Sequence, residues 1–329
     1  MATNENVSST VIENNDPSTD FTGTHEVQEC IEGEDEAQLE VYNNNCPKPH
    51  GGYIPVNNLT LEHFPVGYHD DDLLEFTRVL CALTVRITVK YISPNRPEFL
   101  PGTKDPYPFY SSRGKKILTR GTGVAYPTFK CVAGTEGRST CPCVECEVSG
   151  TPRDIWYQVE ISTARHVIYD VSEARKSTCR LWFDDDASLD VSVVGYKLVE
   201  LNPLDDNCFL FCATHDFKIH EKLEKIVSPF LHLHMKLREK YSNDDEKLMI
   251  IVSHPHGCSK QVSLGRWLNR KNVNGYTRYT YTNCTCRGSS GALVYRLGCW
   301  WPRHPHSGVN TEGINYSGKT WDLLNTPPE

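Results

Sequence analysis

From about residue 117 onward, the chain is a succession of short β-prone runs separated by turn residues, and this feature most limits the folds it can adopt. The runs lie at 117–126, 156–163, 180–183, 190–198, 208–214, 248–253, 261–267, 276–282 and 292–297. So many short strands with turn signals between them are typical of an all-β barrel or sandwich. One break divides the pattern, because apolar residues recur at helical spacing from 219 to 233 and predict a helix at about 217–239.

A second helix is predicted near residues 70–84, before the β-rich region. Three aspartates at 70–72 precede apolar residues at helical spacing, and acidic residues favour a helix N-terminus. The next run, 85–91, alternates apolar with polar residues and fits either a continued helix or a strand. Arg96-Pro97 ends this region.

The first 45 residues are rich in Asn, Ser, Thr, Asp and Glu and predict a disordered acidic tail. A net charge of -8 and a pI near 5.9 argue against a broad phosphate-binding surface, so nucleic acid is not an expected partner. The sequence contains no run of about 18 apolar residues, and its beginning lacks the basic and apolar regions of a signal peptide. We therefore expect no membrane association and an intracellular location, cytoplasmic or nuclear.

That location decides how the 14 cysteines are interpreted, because reducing compartments favour free thiols or metal ligands over disulfides. Cys131, Cys141, Cys143 and Cys146 lie close together in sequence. Four thiolates would satisfy a tetrahedral zinc ion and pin a long surface loop. Their spacing is not that of a standard zinc finger, so free thiols are the alternative.

A Gly-Ser-Ser-Gly turn at 288–291, followed by a β-prone run, has the composition of a nucleophile turn. A serine attacks a carbonyl only from a tight, exposed bend whose backbone N–H groups face the developing oxyanion, and glycines permit such a bend. This predicts Ser290 as nucleophile, with the N–H groups of Gly288 and Ser290 as the oxyanion hole. An ordinary flexible turn is the alternative.

Two upstream residues suit the same chemistry. The run 161–168 ends in small residues and delivers His166 to a turn, where it suits a general base. Asp206 stands at the entrance of an apolar strand, and such a carboxylate can hold a histidine Nδ1–H. Asp205 is the alternative acid.

At these residues the sequence resembles the chymotrypsin-fold (trypsin-like, peptidase S1) serine proteases. Thr-Ala-Arg-His at 163–166 is similar to the family's Thr-Ala-Ala-His, and Asp206 with its apolar strand resembles Asp-Ile-Ala-Leu-Leu. Cys-Arg-Gly-Ser-Ser-Gly-Ala at 286–292 resembles Cys-x-Gly-Asp-Ser-Gly-Gly, and Gly-Thr-Gly-Val at 121–124 resembles a strand of intracellular and HtrA-type members. The resemblance implies two antiparallel six-stranded β-barrels with the active site between them and a Ser-His-Asp triad.

On this basis we divide the chain into five parts. They are the tail (1–45), an N-terminal extension with the first helix (46–109), a first β-barrel with the histidine and aspartate (110–216), a connecting helix (217–245) and a second β-barrel with the serine (246–329).

The sequence departs from the secreted members at two positions. Ser289 replaces the aspartate that receives their new N-terminus, so activation by N-terminal insertion is not expected and residues up to about 60 are predicted to be dispensable for catalysis. Cys284 lies at the substrate-binding position that carries the specificity aspartate in trypsin, so a strong preference for Arg or Lys is not expected.

Substrate binding is instead predicted to involve His306 and Gly308. Their His-Ser-Gly run resembles the Gly-x-His-x-Gly strand that lines the S1 pocket of viral chymotrypsin-fold proteases. The resemblance implies that His306 donates to an acidic or amide side chain of the substrate; a surface or core histidine is the alternative. For His254 and His256, plain turn chemistry is favoured over a metal or catalytic role.

The sequence therefore favours an intracellular serine endopeptidase that acts through an acyl-enzyme and requires no cofactor for catalysis, with protein or peptide substrates as partners. The alternative is a catalytically inactive protease-like protein that serves as a protein-binding module. The oligomeric state is left open.

Overall fold

The computed structural model describes residues 23–30, 46–135, 139–200, 205–242, 248–273, 275–300 and 304–321. The strands are β1 (Gly23–His25), β2 (Gln28–Cys30), β3 (Tyr53–Pro55), β4 (Thr84–Val89), β5 (Leu118–Val132), β6 (Ile155–Ala164), β7 (Ser177–Leu181), β8 (Val191–Glu200), β9 (Asn207–Thr214), β10 (Leu248–Ser253), β11 (Gln261–Val273), β12 (Tyr276–Tyr281), β13 (Val294–Arg296), β14 (His306–Asn310), β15 (Asn315–Ser317) and β16 (Thr320–Trp321). The helices are α1 (Asp71–Leu83), α2 (Val144–Ser149), α3 (Val171–Ala174) and α4 (Phe217–Lys240). Short 3-10 turns lie at Val56–Asn58, Leu61–His63, Tyr110–Ser112 and Pro255–Gly257.

The first barrel is a closed ring of antiparallel ladders. β5 pairs with β4, β4 with β7, β7 with β8, β8 with β9, β9 with β6, and β6 again with β5. The barrel therefore begins at Thr84, earlier than the predicted boundary at 110. The ambiguous run after the first helix is the strand β4, and all six of its residues are buried, as in a strand covered on both faces.

The second barrel follows the order β14, β15, β12, β11, β10, β13. A single bridge between Leu293 and Pro305 joins its two ends. Three further strands extend it, because β1 pairs with β14, β3 with β11 and β16 with β12. The predicted all-β double barrel is thus confirmed, but its second half also takes strands from the N-terminal part of the chain.

The two predicted helices are present and pack against each other beside both barrels. Asp70 caps α1 by accepting from the Asp72 N–H at 2.9 Å, and it also accepts from the Tyr241 hydroxyl, just beyond α4, at 2.8 Å. Phe76 of α1 stacks on Phe230 of α4, with ring centroids 5.2 Å apart, and contacts Tyr295 of β13 at 4.4 Å. One contiguous apolar core therefore joins the helices to both barrels. Within the described ranges no helix is both long and apolar enough to cross a bilayer.

The prediction of a disordered tail over residues 1–45 is wrong for residues 23–30, and the rest of that segment lies outside the described residues. β1 and β2 pair with β14 and β5, one strand of each barrel. The segment buries Val27 and Cys30 although it is mostly polar. The physical reason is that strand addition uses main-chain hydrogen bonds, which require no apolar pattern.

Candidate active site

His166, Asp206 and Ser290 form one hydrogen-bonded chain between the barrels. His166 Nδ1 lies 2.8 and 2.9 Å from the two carboxylate oxygens of Asp206. His166 Nε2 lies 2.9 Å from Ser290 Oγ. The three side chains that the sequence singles out are therefore brought together, while the alternative acid, Asp205, instead accepts from the Trp321 N–H at 2.9 Å.

A buried ion pair supports the turn that carries His166. The Arg96 guanidinium binds the Glu173 carboxylate at 2.7 Å through two nitrogens and donates to the His166 carbonyl oxygen at 3.0 Å. Glu173 also accepts from the Tyr169 N–H at 2.8 Å. Removing either charged partner would leave the other buried without its partner, which is strongly destabilising. No motif or spacing along the chain predicts this pair.

Asp206 is suited to remain ionised beside the histidine. Burial alone would raise its pKa, but the charge of His166 and its hydrogen bond, with a further hydrogen bond from Ser307, lower the pKa to about 2. The Ser307 hydroxyl donates to this carboxylate at 2.7 Å. The carboxylate therefore orients the imidazole at Nδ1 and stabilises its protonated form.

The nucleophile turn lies between β12 and β13 and depends on two glycines in the left-handed region. Gly288 has φ +94° and Gly291 has φ +88°. A Cβ at Gly288 would collide with the His254 carbonyl oxygen, and a Cβ at Gly291 would collide with the Thr122 carbonyl oxygen. The first barrel supports the turn directly, since the Thr122 N–H donates to the Ser290 carbonyl oxygen at 2.8 Å. Glycine is therefore required at both positions to bring the backbone this close.

Adjacent serines in this turn have different surroundings. Ser289 Oγ lies 3.0 Å from Ser253 Oγ and accepts from the Cys286 N–H at 3.3 Å. Ser290 Oγ instead lies 2.9 Å from both His166 Nε2 and the Ser307 carbonyl oxygen, so its hydroxyl can donate to either. Only Ser290 faces the imidazole, as the Gly-x-Ser-Gly register predicts.

The two predicted oxyanion donors converge on one acceptor. The N–H groups of Gly288 and Ser290 donate to the Glu26 carbonyl oxygen, at 2.6 and 3.2 Å. Two backbone N–H groups that share an acceptor beside a nucleophile have the geometry needed to hold a developing oxyanion.

His306 lies in the same cleft and is fully buried, so the alternative of a surface histidine does not hold. The Tyr281 hydroxyl, 2.7 Å from Nδ1, donates to it when the ring is neutral, and Nε2 then donates to the Glu26 carboxylate at 2.6 Å. Burial lowers the pKa of His306, while Glu26 raises it in part. A neutral imidazole with its proton on Nε2 fits these partners.

The remaining predicted substrate-binding residues, Cys284 and Gly308, lie in different positions. Gly308 is paired with His25 in the β1–β14 ladder, and a Cβ there would collide with the Thr24 carbonyl oxygen. Cys284 faces the N-terminal extension, where its thiol donates to the Pro49 carbonyl oxygen at 3.4 Å. Gly308 therefore contacts β1, which lies in the cleft, through main-chain atoms.

Three of the four predicted zinc ligands are brought together, with a different fourth partner. The sulfurs of Cys141, Cys143 and Cys146 lie 3.1, 3.9 and 3.4 Å from His215 Nε2. Cys131 is buried beside them, but its sulfur is not one of the four mutually close donor atoms, and it donates to the Phe129 carbonyl oxygen at 3.7 Å. A Cys₃His set with these separations fits a tetrahedral metal.

A second group of four donors lies beside the nucleophile turn and was not predicted. Cys46, His50, His256 and Cys286 place their sulfur and ring nitrogen atoms within 4.8 Å of one another. Turn chemistry is favoured for His256 from the sequence, and the structure also places its ring among these donors. The members of this group come from three distant parts of the sequence, so no spacing motif reveals them.

No family model matches the chain, and no curated protein matches it. Solved structures similar to it include the Rv3671c protease from M. tuberculosis in its active form, at 12% identity and TM-score 0.39, over 76% of this chain and 82% of that one. Deg5 matches at 11% identity and TM-score 0.39, over 76% of this chain and 89% of that one. A variant of the HtrA-type protease AlgW with a decapeptide matches at 12% identity and TM-score 0.38, over 74% and 61%. At these TM-scores the similarity adds no weight, and the fold rests on the strand pairings described above.

Proposed function

We propose that the protein is a serine endopeptidase with Ser290 as nucleophile, His166 as general base and Asp206 as the carboxylate that orients the base. The observation that carries the proposal is the continuous contact from Asp206 through His166 to Ser290, with both imidazole nitrogens engaged at 2.8 to 2.9 Å. A binding module requires none of these three contacts. A serine nucleophile that is activated by an oriented histidine uses all of them.

Each group has a defined role in this chemistry. His166 Nε2 takes the Ser290 proton as Oγ adds to a substrate carbonyl, and the N–H groups of Gly288 and Ser290 stabilise the oxyanion. His166 then protonates the leaving amine. Water completes the cycle by hydrolysing the acyl-enzyme. The intracellular location expected from the sequence remains a prediction.

A fluorophosphonate probe tests the proposal and its register. We expect the probe to label the native chain and a Ser289→Ala variant but not a Ser290→Ala variant. Turnover of a peptide substrate should fall by about four to six orders of magnitude in Ser290→Ala and stay substantial in Ser289→Ala. Absence of labelling in a folded chain whose cleft is open would support the inactive binding module, and loss of labelling only in Ser289→Ala would show that the register is wrong.

We also propose that Cys141, Cys143, Cys146 and His215 hold a structural zinc ion that fastens the loop before α2 to the end of β9. The ligand set replaces the predicted Cys131 by His215. A Cys143→Ser variant should lose one zinc ion per chain, measured by mass spectrometry of the purified protein, and a Cys131→Ser variant should retain it. Equal zinc content in the two variants would contradict this ligand set.

A further inference from the structure

Residues 23–30 lie across the cleft as an extended peptide. On one side of Glu26, β1 pairs antiparallel with β14 in the register Gly23–Asn310, Thr24–Val309 and His25–Gly308. On the other side, β2 pairs antiparallel with β5 in the register Gln28–Arg120, Glu29–Thr119 and Cys30–Leu118. The chain therefore binds its own segment to both barrels through main-chain ladders, and only Glu26 and Val27 lie between them. This is the β-addition mode of peptide recognition.

The Glu26 carbonyl group occupies the reacting position. Its oxygen accepts from the Gly288 and Ser290 N–H groups, and the Glu26 N–H donates to the Ser307 carbonyl oxygen at 3.1 Å. The preceding residue, His25, packs its ring against His166, with centroids 4.5 Å apart. The Glu26–Val27 peptide bond is therefore presented to Ser290 as a substrate bond would be.

The Glu26 side chain enters a pocket that is complementary to a carboxylate. His306 Nε2 donates to one oxygen at 2.6 Å, and Lys48 binds the other through its ammonium group. Burial alone would raise the pKa of Glu26, but these two partners hold it at about 2. A glutamine in this pocket would keep the histidine hydrogen bond and lose the ion pair, while a lysine would place two ammonium groups together.

We propose that the chain is its own first substrate, that it cleaves the Glu26–Val27 bond, and that the same pocket selects glutamate before the scissile bond in other peptides. The inference rests on the proposed function, because it requires Ser290 to be a nucleophile. It assigns a specificity role to Lys48 and a processing role to part of the segment that the sequence predicts to be a disordered tail.

The atoms balance in a single hydrolysis. Ser290 Oγ bonds to the Glu26 carbonyl carbon as its proton moves to His166 Nε2, and the C–N bond to Val27 then breaks as His166 protonates the departing amine. Water adds to the acyl carbon, gives one proton back through His166 to Ser290, and releases residues 1–26 with a new carboxylate. The enzyme retains the new amino terminus at Val27.

The full-length chain tests this inference by intact mass and N-terminal sequencing after purification. We expect the native protein to begin with Val-Gln-Glu-Cys and Ser290→Ala to remain full length. Glu26→Gln should be processed about tenfold more slowly, since one charge-assisted contact is lost, and Glu26→Lys should not be processed. Gly51→Ala, which meets no atom within 4 Å, serves as the matched neutral control.

A chain that begins at Val27 separates failure of this inference from failure of the proposed function, because its cleft is free of residues 23–26. If this chain takes up the fluorophosphonate at Ser290 while the native chain keeps an intact Glu26–Val27 bond, the segment is an inhibitory strap and self-processing is wrong. If neither is labelled, the proposed function itself fails. The truncated chain should also cleave a peptide with the sequence of residues 23–30 after its first glutamate, and equal cleavage when that glutamate is replaced by alanine would overturn the specificity.

An independent observation, the donor group beside the nucleophile turn, carries a second inference. Cys46 Sγ lies 3.2 Å from Cys286 Sγ, and His50 Nε2 lies 3.4 Å from His256 Nε2. Gln28 Oε1 lies 3.1 Å from His256 Nδ1, which leaves Nε2 directed at the group. Such outer contacts typically orient metal-binding histidines.

We infer that these four side chains bind a second zinc ion in a Cys₂His₂ set. Two sulfurs and two imidazole nitrogens at these separations fit tetrahedral zinc. The ion would link the N-terminal extension to the turn at Pro255–Gly257 and to Cys286, two positions before Gly288. Lys48 lies between the ligands Cys46 and His50, so the same ion would hold it at the glutamate pocket.

Zinc content tests this site without reference to activity. We expect two zinc ions per native chain and one in each of Cys46→Ser, His50→Ala and Cys143→Ser, whereas Cys299→Ala should retain two. Cobalt(II) substitution distinguishes the two sites, because a thiolate-to-cobalt charge-transfer band grows with the number of cysteine ligands. The band intensity lost with Cys46→Ser, from a site with two cysteines, should therefore be smaller than that lost with Cys143→Ser, from a site with three. The inference would be overturned if the native chain held one zinc ion that Cys46→Ser did not remove. It would also be overturned if alkylated, unreduced peptides contained a Cys46–Cys286 disulfide.

Discussion

The two barrels differ in how much of the chain each one needs. The first closes through six ladders formed by residues that run continuously from β4 to β9. The second closes through one bridge. Each barrel receives one strand of the segment 23–30, and the second also takes β3 from the N-terminal part of the chain. His166 and Asp206 belong to the self-contained barrel, whereas Ser290 belongs to the barrel that depends on distant segments. The geometry of the nucleophile is therefore more sensitive to changes in the N-terminal region than that of the base.

The most severe test of the self-contained barrel is a cavity in its core. Leu210 of β9 is fully buried, so Leu210→Ala should lower the free energy of unfolding by about 2–5 kcal/mol. Leu189, 82% exposed, provides the control, and Leu189→Ala should change stability by less than about 0.5 kcal/mol. Both are measured by denaturant unfolding. If hydrogen exchange showed that Leu210→Ala loosens only the second barrel, the view that the first barrel is an independent unit would be wrong.

Truncation tests the dependence of the second barrel. A chain that begins at Val56 lacks β2, β3, Lys48 and two of the proposed zinc ligands, so we expect kcat/KM for a peptide with glutamate before the scissile bond to fall by about 100-fold or more. A chain that begins at Val27 should keep its activity. Equal activity of the two truncated chains would restore the prediction from sequence that residues up to about 60 are dispensable.

A smaller effect is expected from the lysine in the glutamate pocket. Lys48→Met should reduce the preference for glutamate over glutamine by about tenfold, because the ion pair is lost while the His306 hydrogen bond remains. The ratio of kcat/KM for matched peptides measures this. Lys130→Met, in the first barrel, is the control, and we expect it to leave the preference for glutamate unchanged. A loss of that preference in Lys130→Met would show that the pocket around Lys48 does not set it.

Acid should weaken the docking of residues 23–30. The pKa of Glu26 is held at about 2, below its usual value of 4.5, so its contribution to docking is complete above pH 4.5 and is lost as the pH falls towards 2. Hydrogen exchange at residues 23–30 of the Ser290→Ala protein should therefore rise across this range. In the Ser290→Ala, Glu26→Gln protein the rise between pH 4.5 and 2 should be smaller, and the part that remains comes from His25, whose pKa burial lowers to about 3. An equal rise in the two proteins would contradict the assignment to Glu26.

The helices and most strands could be predicted from the sequence because their signals are local, whereas the set His166, Asp206 and Ser290 was assigned through the family resemblance of its motifs. The predicted helices at 70–84 and 217–239 correspond to Asp71–Leu83 and Phe217–Lys240. The choice of Ser290 over Ser289 used the Gly-x-Ser-Gly register that the resembled motif implies. The helices needed only neighbouring residues and their period.

The tertiary structure alone decided which distant groups share a site. His215 joins three cysteines because β9 ends beside their loop, and Cys46 meets Cys286 across 240 positions. Nothing in the polar segment 23–30 marks it as ordered, because its affinity comes from backbone ladders and one buried carboxylate rather than from an apolar pattern. Local sequence therefore specified the strands, the helices and the reactive turn. Long-range packing decided which residues form the glutamate pocket and the two donor groups, because contacts between distant residues leave no periodic pattern along the chain.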